Sequence, residues 1–161
     1  MEVKAHNQAI YISLLIVSFG LLIIGLGPGL FHQSDLGGFS WQHLVFDLVC
    51  HQKPERSFLI NGESMAVCSR CLGIYGGFAI IILLMPVIPR FFTVINSLLL
   101  KLIVVSIVVN LVDVIANQFS IWSNTLHSRL LLGASFGIFL ALYLTNEFFK
   151  QIVKTEESYG T

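Results

Sequence analysis

Long runs of hydrophobic residues, separated by short polar segments, dominate this chain. Four of the runs approach the roughly 20 apolar residues that an α-helix needs to cross a bilayer. They cover residues 9–26, 72–88, 98–119 and 126–145. The pattern predicts an all-α integral membrane protein with four transmembrane helices in one bundle. Since these spans use most of the chain, we expect a single membrane domain over residues 1–161.

Polar segments mark where the helices end. Gly27-Pro28-Gly29 predicts the end of the first helix, because proline cannot continue the hydrogen-bond ladder. Residues 27–71 then form a polar connector that contains the cysteines. Within it, Ser40 is suited to cap a short helix over residues 41–50, and Asn61-Gly62 is typical of a turn or hairpin. We expect the short helix to lie at the membrane interface, where Trp41 and Phe46 would be favoured.

The third hydrophobic run carries one polar stripe. Its members are four or three residues apart, so they share one helix face: Ser106, Asn110, Asp113 and Asn117. A carboxylate in hydrocarbon costs ~2.5–3.5 kcal/mol, so Asp113 should face the bundle interior and find a partner. The expected partner is Arg129, in the first turns of the fourth helix, which Asn124 or Thr125 would cap.

Composition agrees with a membrane protein and excludes one class of partner. The chain of 161 residues is 55% hydrophobic and 11% charged, and its mean hydropathy is +0.83. Soluble proteins have about 25% charged residues. The net charge is zero and no basic run exists, so nucleic-acid binding has no electrostatic support. The first run exceeds the length of a signal-peptide core and no Ala-x-Ala site follows, which favours a retained helix.

All three cysteines fall in the connector and at the start of the second span. An odd number of thiols cannot all pair in one chain, which argues against a closed disulfide framework. Thiolate and imidazole ligands favour zinc or another soft transition metal. The predicted ligands are Cys50, His51, Cys68 and Cys71. Because adjacent residues chelate awkwardly, His43 or Asp47 is an alternative to His51. Three protein ligands would leave an open catalytic position, whereas four would make a structural site.

The same cysteines allow other functions. Cys68-x-x-Cys71 at a helix N-terminus gains thiolate stabilisation from the backbone dipole, and Arg70 adds to it. Cys50 would then be the resolving thiol of a membrane thiol-disulfide oxidoreductase coupled to quinone. A metal carrier or sensor is a further alternative, and inert buried thiols would need no function at all.

Alternating spans bring the start of the second helix, the end of the third and the start of the fourth to one side of the membrane. The cysteines should therefore lie beside an intramembrane pocket formed by Asp113, Asn117 and Arg129. These three residues are the catalytic candidates of a metal-dependent enzyme acting on an anionic or lipid-phase substrate. The competing interpretation is a buried ion pair that only fixes helix register.

Two further patterns concern assembly in the lipid bilayer. Gly73-x-x-x-Gly77 and Gly133-x-x-x-Gly137 have the spacing that lets helices approach closely. Four helices enclose too little space for a transport pathway, so a transport function would require a homo-oligomer.

Five cations are predicted on one side of the membrane: Lys4, Arg90, Lys101, Lys150 and Lys154. The other four could offset thiolate charge at the site: Lys53, Arg56, Arg70 and Arg129. With this second group set aside, the positive-inside rule puts both termini in the cytoplasm.

Several unusual residues occur together in a fixed order. They are Cys50-His51-Gln52, Arg56-Ser57-Phe58, Cys68-x-Arg70-Cys71-x-Gly73-Ile74-Tyr75, Asp113 and Asn124-x4-Arg129-x3-Gly133. Over roughly residues 50–137 the chain resembles the prokaryotic membrane family named domain of unknown function 2085. This resemblance implies a small multi-helix protein of a prokaryotic cell membrane with an essential Cys/His cluster. It supports the site residues more than any particular reaction.

Overall fold

The structure is a computed structural model that describes residues 2–31, 41–85 and 96–159. This part of the chain is mostly helical. Its five α-helices are α1 (Glu2–Phe31), α2 (Trp41–Phe46), α3 (Ser69–Leu84), α4 (Asn96–Gln118) and α5 (Leu126–Tyr159). Between α2 and α3 lie a 3₁₀ turn (Pro54–Arg56) and a two-stranded antiparallel hairpin of β1 (Leu59–Ile60) and β2 (Glu63–Ser64).

Among the described residues, three segments are long and apolar enough to cross a membrane. They are Gln8–Leu30 in α1, Ser97–Gln118 in α4 and Leu126–Glu147 in α5. The fourth apolar helix, α3, has 16 residues. At ~1.5 Å per residue it is ~24 Å long, less than the ~30 Å hydrocarbon core. The prediction of a helical membrane protein is confirmed, while a fourth span stays a prediction. Residues 86–88 of that span, with Pro86, lie outside the described residues.

Helices α3 and α5 make the most intimate contact in the fold. A Cβ atom at Gly73 or Gly77 would overlap the backbone of α5, at Leu130 and Ala134. One added at Gly133 or Gly137 would likewise overlap the backbone of α3, at Arg70 and Ile74. Both sets of contacts advance in the same chain direction, so the helices run parallel with their first turns side by side. The expectation of close approach at both glycine motifs is confirmed.

Helix α4 packs on α5 through the predicted polar stripe. The Ser106 and Ser135 hydroxyl oxygens lie 3.4 Å apart. The Asn110 side-chain amide donates to the carbonyl of Leu132 at 3.1 Å and to that of Ser106 at 2.9 Å. The surrounding valine and isoleucine side chains of α4 are largely exposed, as expected for a surface that meets lipid. The stripe therefore faces the protein interior, as the sequence predicted.

Helix α1 continues past the point where its end was predicted. It runs to Phe31 and includes Pro28. The connector supplies polar partners at this end of the helix: the Ala66 N–H donates to the Gly25 carbonyl at 3.0 Å, and the Asn61 amide donates to the Gly29 carbonyl at 2.9 Å. The prediction was wrong because carbonyl groups near a proline can find partners outside the helix, which makes the proline tolerable.

The connector folds back on α1 through the hairpin. Leu59 pairs with Ser64 and Ile60 with Glu63. The two turn residues have positive φ angles, 54° at Asn61 and 85° at Gly62, as a two-residue type I′ turn requires. The hairpin prediction for Asn61-Gly62 is confirmed. The hairpin leads the chain into Met65, Ala66 and Val67, which are buried against the end of α1 and carry it to the start of α3.

The short helix of the connector differs from its prediction at its end and in its burial. It ends at Phe46 rather than at residue 50, although the Cys50 N–H still donates to the Phe46 carbonyl at 2.8 Å. Phe46 is only 2% exposed, and its ring lies 5.9 Å from that of Tyr75. Phe46 is a core residue and not an interfacial anchor, because the face of α2 that carries it packs against the protein interior. Trp41, the other predicted interfacial residue, is exposed. The predicted cap Ser40 lies outside the described residues.

Candidate metal centre

Three cysteine side chains converge at the start of α3. The sulfur atoms of Cys50, Cys68 and Cys71 all lie within 4.8 Å of one another. Thiolates bound tetrahedrally to zinc at ~2.3 Å are ~3.8 Å apart, so small side-chain rotations would bring these sulfurs to ligand distance. All three cysteines are free thiols. The geometry therefore provides a ready set of three soft ligands.

A tight turn places Cys50 inside the protein. Gln52 has a φ angle of 46°, in the left-handed region that most side chains avoid. Its side-chain amide donates to the His43 backbone carbonyl, while its Oε1 atom lies 2.9 Å from the His43 Nδ1 atom. These bonds tie the turn to α2 and compensate for the unfavourable backbone conformation. Cys50 is consequently 5% exposed, whereas the next residue, His51, is exposed.

The other two cysteines are positioned by α3 itself. Cys68 is the N-cap residue of α3, and Cys71 lies in the first turn. Three positions along a helix bring side chains to the same face, which explains why the Cys-x-x-Cys spacing presents both sulfurs together. The Cys68 backbone N–H donates to the Cys50 sulfur at 3.2 Å and so joins the connector to this helix start.

The environment of Cys50 favours its thiolate form. Hydrogen bonds from the Cys68 thiol, and then from the Cys71 thiol and the Cys68 backbone N–H, lower the pKa of Cys50 well below its ordinary value, although burial opposes the shift. A thiol with a lowered pKa is available as a thiolate for metal binding or nucleophilic attack. Cys50 has this property in the cluster.

The histidine and aspartate candidates lie apart from the grouped sulfurs. His51 lines the same cavity as the cysteines but does not belong to the group of ligand atoms within 4.8 Å. His43 is engaged with Gln52, and Asp47 is exposed. Neither predicted alternative to His51 shares a helix face with Cys50, because the helix ends at Phe46 and the chain turns before Cys50. Within residues 2–31, 41–85 and 96–159, the group consists of three sulfurs, and no histidine or carboxylate atom joins it.

Asp113 binds a different arginine from the one predicted. Its carboxylate forms an ion pair with Arg70, and the two side chains are 8% and 20% exposed. The expected partner, Arg129, instead donates to the side-chain oxygen of Asn117 at 3.3 Å. The parallel contact of α3 and α5 explains the correction, since Arg70 and Arg129 both lie in first turns that face the end of α4. Asn117 is one helical turn beyond Asp113 and takes the second arginine.

One cavity of about 420 Å³ joins the cysteine cluster to these polar residues. Its walls come from the connector, α3, α4 and α5. Asn117 and Arg129, which were predicted as pocket residues, line it, whereas Asp113 lies behind Arg70. The remaining lining residues are Val49, Cys50, His51, Gln52, Lys53, Arg56, Cys68, Arg70, Cys71, Val114 and Gln118. The cysteines thus share a cavity with two of the three predicted pocket residues, Asn117 and Arg129.

Comparison with known sequences identifies the family. Residues 50–143 match the family domain of unknown function 2085, described as a predicted membrane protein. The match begins at Cys50 and covers more than half of the chain, including all three cysteines, Asp113 and Arg129. The chain belongs to this family. Membership confirms the resemblance in the sequence motifs and the assignment as a membrane protein.

Archaeal relatives extend the comparison. An uncharacterized protein of Methanocaldococcus jannaschii is 29% identical over 154 residues, which cover 89% of this chain and 96% of that protein. An uncharacterized protein of Methanothermobacter thermautotrophicus is 43% identical over 60 residues, which cover 37% of this chain and 54% of that protein. No solved structure matches the chain. These relatives support the family assignment and carry no statement of activity.

Proposed function

We propose that this protein is a membrane enzyme in which Cys50, Cys68 and Cys71 hold one zinc-like metal ion with a fourth coordination position open to a ligand. The observation that carries the proposal is the grouping of the three sulfurs within 4.8 Å, on the wall of a cavity that also contains Arg129 and Asn117. Catalytic zinc sites characteristically combine three protein ligands with one exchangeable position.

The polar residues would act on whatever occupies that open position. Arg129 and Asn117 line the cavity and would bind or polarise the ligand of the metal. Asp113 would hold Arg70 at the cavity wall through their ion pair and would act through that arginine. His51 lines the cavity beside the sulfurs and would be the candidate for a fourth ligand or a proton carrier. Its exposure is consistent with an exchangeable rather than a permanent contact.

Elemental analysis of detergent-purified protein tests the metal proposal. Protein prepared without chelator should contain about one soft transition metal per chain. Cys68→Ser and Cys71→Ser should lose this metal, because each removes a thiolate from a set of three. Arg129→Gln is the matched cavity variant: it should retain the metal, since the thiolates supply the ligation energy. Metal-free wild-type protein with reduced, accessible thiols would refute the proposal.

A second function is favoured by the same distances. Sulfur atoms within 4.8 Å can form a disulfide after side-chain rotation. A quinone would take two electrons and two protons from the Cys68 and Cys71 thiols, giving a quinol and a Cys68–Cys71 disulfide. As the resolving thiol, the Cys50 thiolate would then attack the Cys68 sulfur, which would form a Cys50–Cys68 disulfide, break the Cys68–Cys71 bond and release the Cys71 thiolate. Quinone-dependent appearance of the disulfide in metal-free protein would establish this function in place of the metal enzyme.

A further inference from the structure

The cavity beside the cysteines has a strong excess of positive charge. Four cationic side chains line it, and no carboxylate of the described residues does: Lys53, Arg56, Arg70 and Arg129. These are all the lysines and arginines predicted for this side of the membrane. Cations gathered around one cavity inside a helix bundle raise the local concentration of anions and require compensation by negative charge.

The protein itself compensates only part of this charge. Asp113 contributes one negative charge through Arg70, and a zinc ion with three thiolates would contribute about one more. Four cations less these two negative charges leave a surplus of about two positive charges, of which solvent screens that of the exposed Lys53. A phosphate monoester, which carries close to two negative charges at neutral pH, would balance the surplus.

Hydrogen-bond donors of the arginines are also left without partners. The Arg70 Nε atom is buried and has no acceptor, although the same guanidinium binds Asp113. Arg129 donates to Asn117 through one Nη atom. No described residue accepts a side-chain hydrogen bond from Arg56, which is half-buried at the cavity wall. Guanidinium groups bind phosphate oxygens with paired donors, so these groups are suited to a phosphate.

The cavity has an apolar wall as well as a cationic one. Val49 from the connector and Val114 from α4 both line it. Their residues are 65% and 44% exposed, so each presents apolar surface to the exterior as well as to the cavity. Val114 lies four residues before Gln118, the last residue of the membrane-spanning segment, which is ~6 Å along the helix. Val114 therefore lies within the outer part of the hydrophobic span, and Val49 lies on the same cavity.

We infer that the substrate or ligand of this cavity is an amphiphile with a phosphate monoester headgroup. Arg56, Arg70 and Arg129 would bind the phosphate, and the hydrocarbon chain would leave the cavity past Val49 and Val114 into the bilayer. This inference rests on the proposed function in one respect, because the headgroup would lie beside the open position of the metal. It adds the chemical class of the ligand and its route of entry from the membrane.

Lipid binding to the full-length, metal-loaded protein in dodecyl maltoside micelles tests the inference. Native mass spectrometry would compare dioleoyl phosphatidic acid with dioleoyl phosphatidylcholine, which has the same chains and a zwitterionic headgroup. Inorganic phosphate would represent the free anion without a chain. We expect one phosphatidic acid per chain, bound at least about tenfold more tightly than either of the other probes. Only phosphatidic acid has both a phosphate monoester for the cationic wall and a hydrocarbon chain for the apolar wall.

Two sets of variants separate the contributions of headgroup and chain. Arg56→Gln with Arg129→Gln should weaken phosphatidic acid binding at least about tenfold, whereas Lys101→Gln, an exposed cation elsewhere on α4, should leave it unchanged. Val114→Trp should hinder the chain and weaken lipid binding without weakening phosphate binding. Val112→Trp is its matched control, because Val112 is 50% exposed on the same helix and does not line the cavity.

The outcomes distinguish this inference from the proposed function. Equal affinity for phosphatidic acid and phosphatidylcholine in metal-loaded protein overturns the inference and leaves the metal proposal intact. Inorganic phosphate bound as tightly as the lipid overturns the membrane route and identifies a free phosphate as the ligand. If elemental analysis of the same sample finds no metal while phosphatidic acid still binds selectively, the proposed metal enzyme fails and the amphiphile site stands.

Discussion

The ion pair between Arg70 and Asp113 gives the sharpest test of the fold around the cavity. Asp113→Asn and Arg70→Gln each leave the partner charge behind in a site where the side chains are only 8% and 20% exposed. The double variant removes both charges. We therefore expect the two single losses of stability to exceed, in sum, the loss in the double variant.

The structure limits the size of this coupling. In a soluble core, removing one partner of a buried ion pair costs ~3–5 kcal/mol, while polar contacts between membrane helices average ~0.6 kcal/mol and reach ~1.7. Asp113 lies five residues before the end of its span at Gln118, or ~7.5 Å along the helix, so it is not at the bilayer centre. With Arg70 a fifth exposed, we expect single losses of ~2 kcal/mol and a coupling of ~1–2 kcal/mol.

Unfolding by sodium dodecyl sulfate in mixed micelles, followed by circular dichroism, measures these free energies. A parallel cycle between Asp113 and Arg129 is the control, because Arg129 donates to Asn117 in the structure. Its coupling should be clearly smaller than that of Asp113 with Arg70. A coupling below ~0.5 kcal/mol for Arg70 with Asp113, or a larger one for Arg129, would show that the helices are not in this register.

Three further predictions concern the glycine contact, the turn at Gln52 and the membrane orientation. Gly133→Leu should destabilise the protein by ~3 kcal/mol or more in the same unfolding assay, because the leucine side chain would overlap the backbone of α3. Gly76→Leu is the control and should cost far less, since a Cβ atom at Gly76 would meet only Leu22, at 4.0 Å. Equal losses of stability in the two variants would contradict the close contact. Gln52→Ala should weaken metal binding ~10–100-fold in a chelator competition, since the turn that places Cys50 loses both bonds to α2; unchanged affinity would assign Gln52 no such role. A reporter enzyme that works only in the cytoplasm should be active when fused to the C-terminus, because the positive-inside rule places this terminus in the cytoplasm. If only a reporter that works outside the membrane is active there, the orientation is the reverse of the predicted one.

Much of the architecture was predictable because a bilayer imposes simple rules. A run of about 20 apolar residues is recognisable without knowledge of neighbours, and a polar residue within it must face protein. The inward stripe that includes Asn110 and Asp113 followed from that rule. The glycine spacing also indicated that another helix could approach closely at each motif, whereas the pairing of α3 with α5 came from the structure.

The pairing of the arginines depended on a quantity that the sequence does not contain. Arg70 and Arg129 lie in the first turns of adjacent parallel helices, and both can reach the end of α4. The choice between them depends on how far α4 is shifted along its axis, and a shift of one turn exchanges Asp113 for Asn117. Sequence spacing gives the face of a residue but not this axial position.

The local course of the connector was also beyond pattern reasoning. Gln52 adopts the left-handed conformation in the turn where Cys50 is buried and His51 is exposed, and no propensity marks glutamine as a residue for that conformation. The continuation of α1 through Pro28 depends on partners more than 30 positions away, such as Asn61. Both features arise from tertiary hydrogen bonds that override local preference.

The glycine contact between α3 and α5 divides the site into two mechanical parts. Cys68, Cys71 and Arg129 lie on two helices that meet backbone to backbone. Cys50 comes from the connector, which contacts α3 through Phe46 on Tyr75 and through the Cys68 N–H bond to the Cys50 sulfur. Under the proposed metal function, Cys50 is therefore the one ligand that the connector supplies. Displacement of the connector would remove this ligand, while Cys68 and Cys71 would keep their spacing on α3.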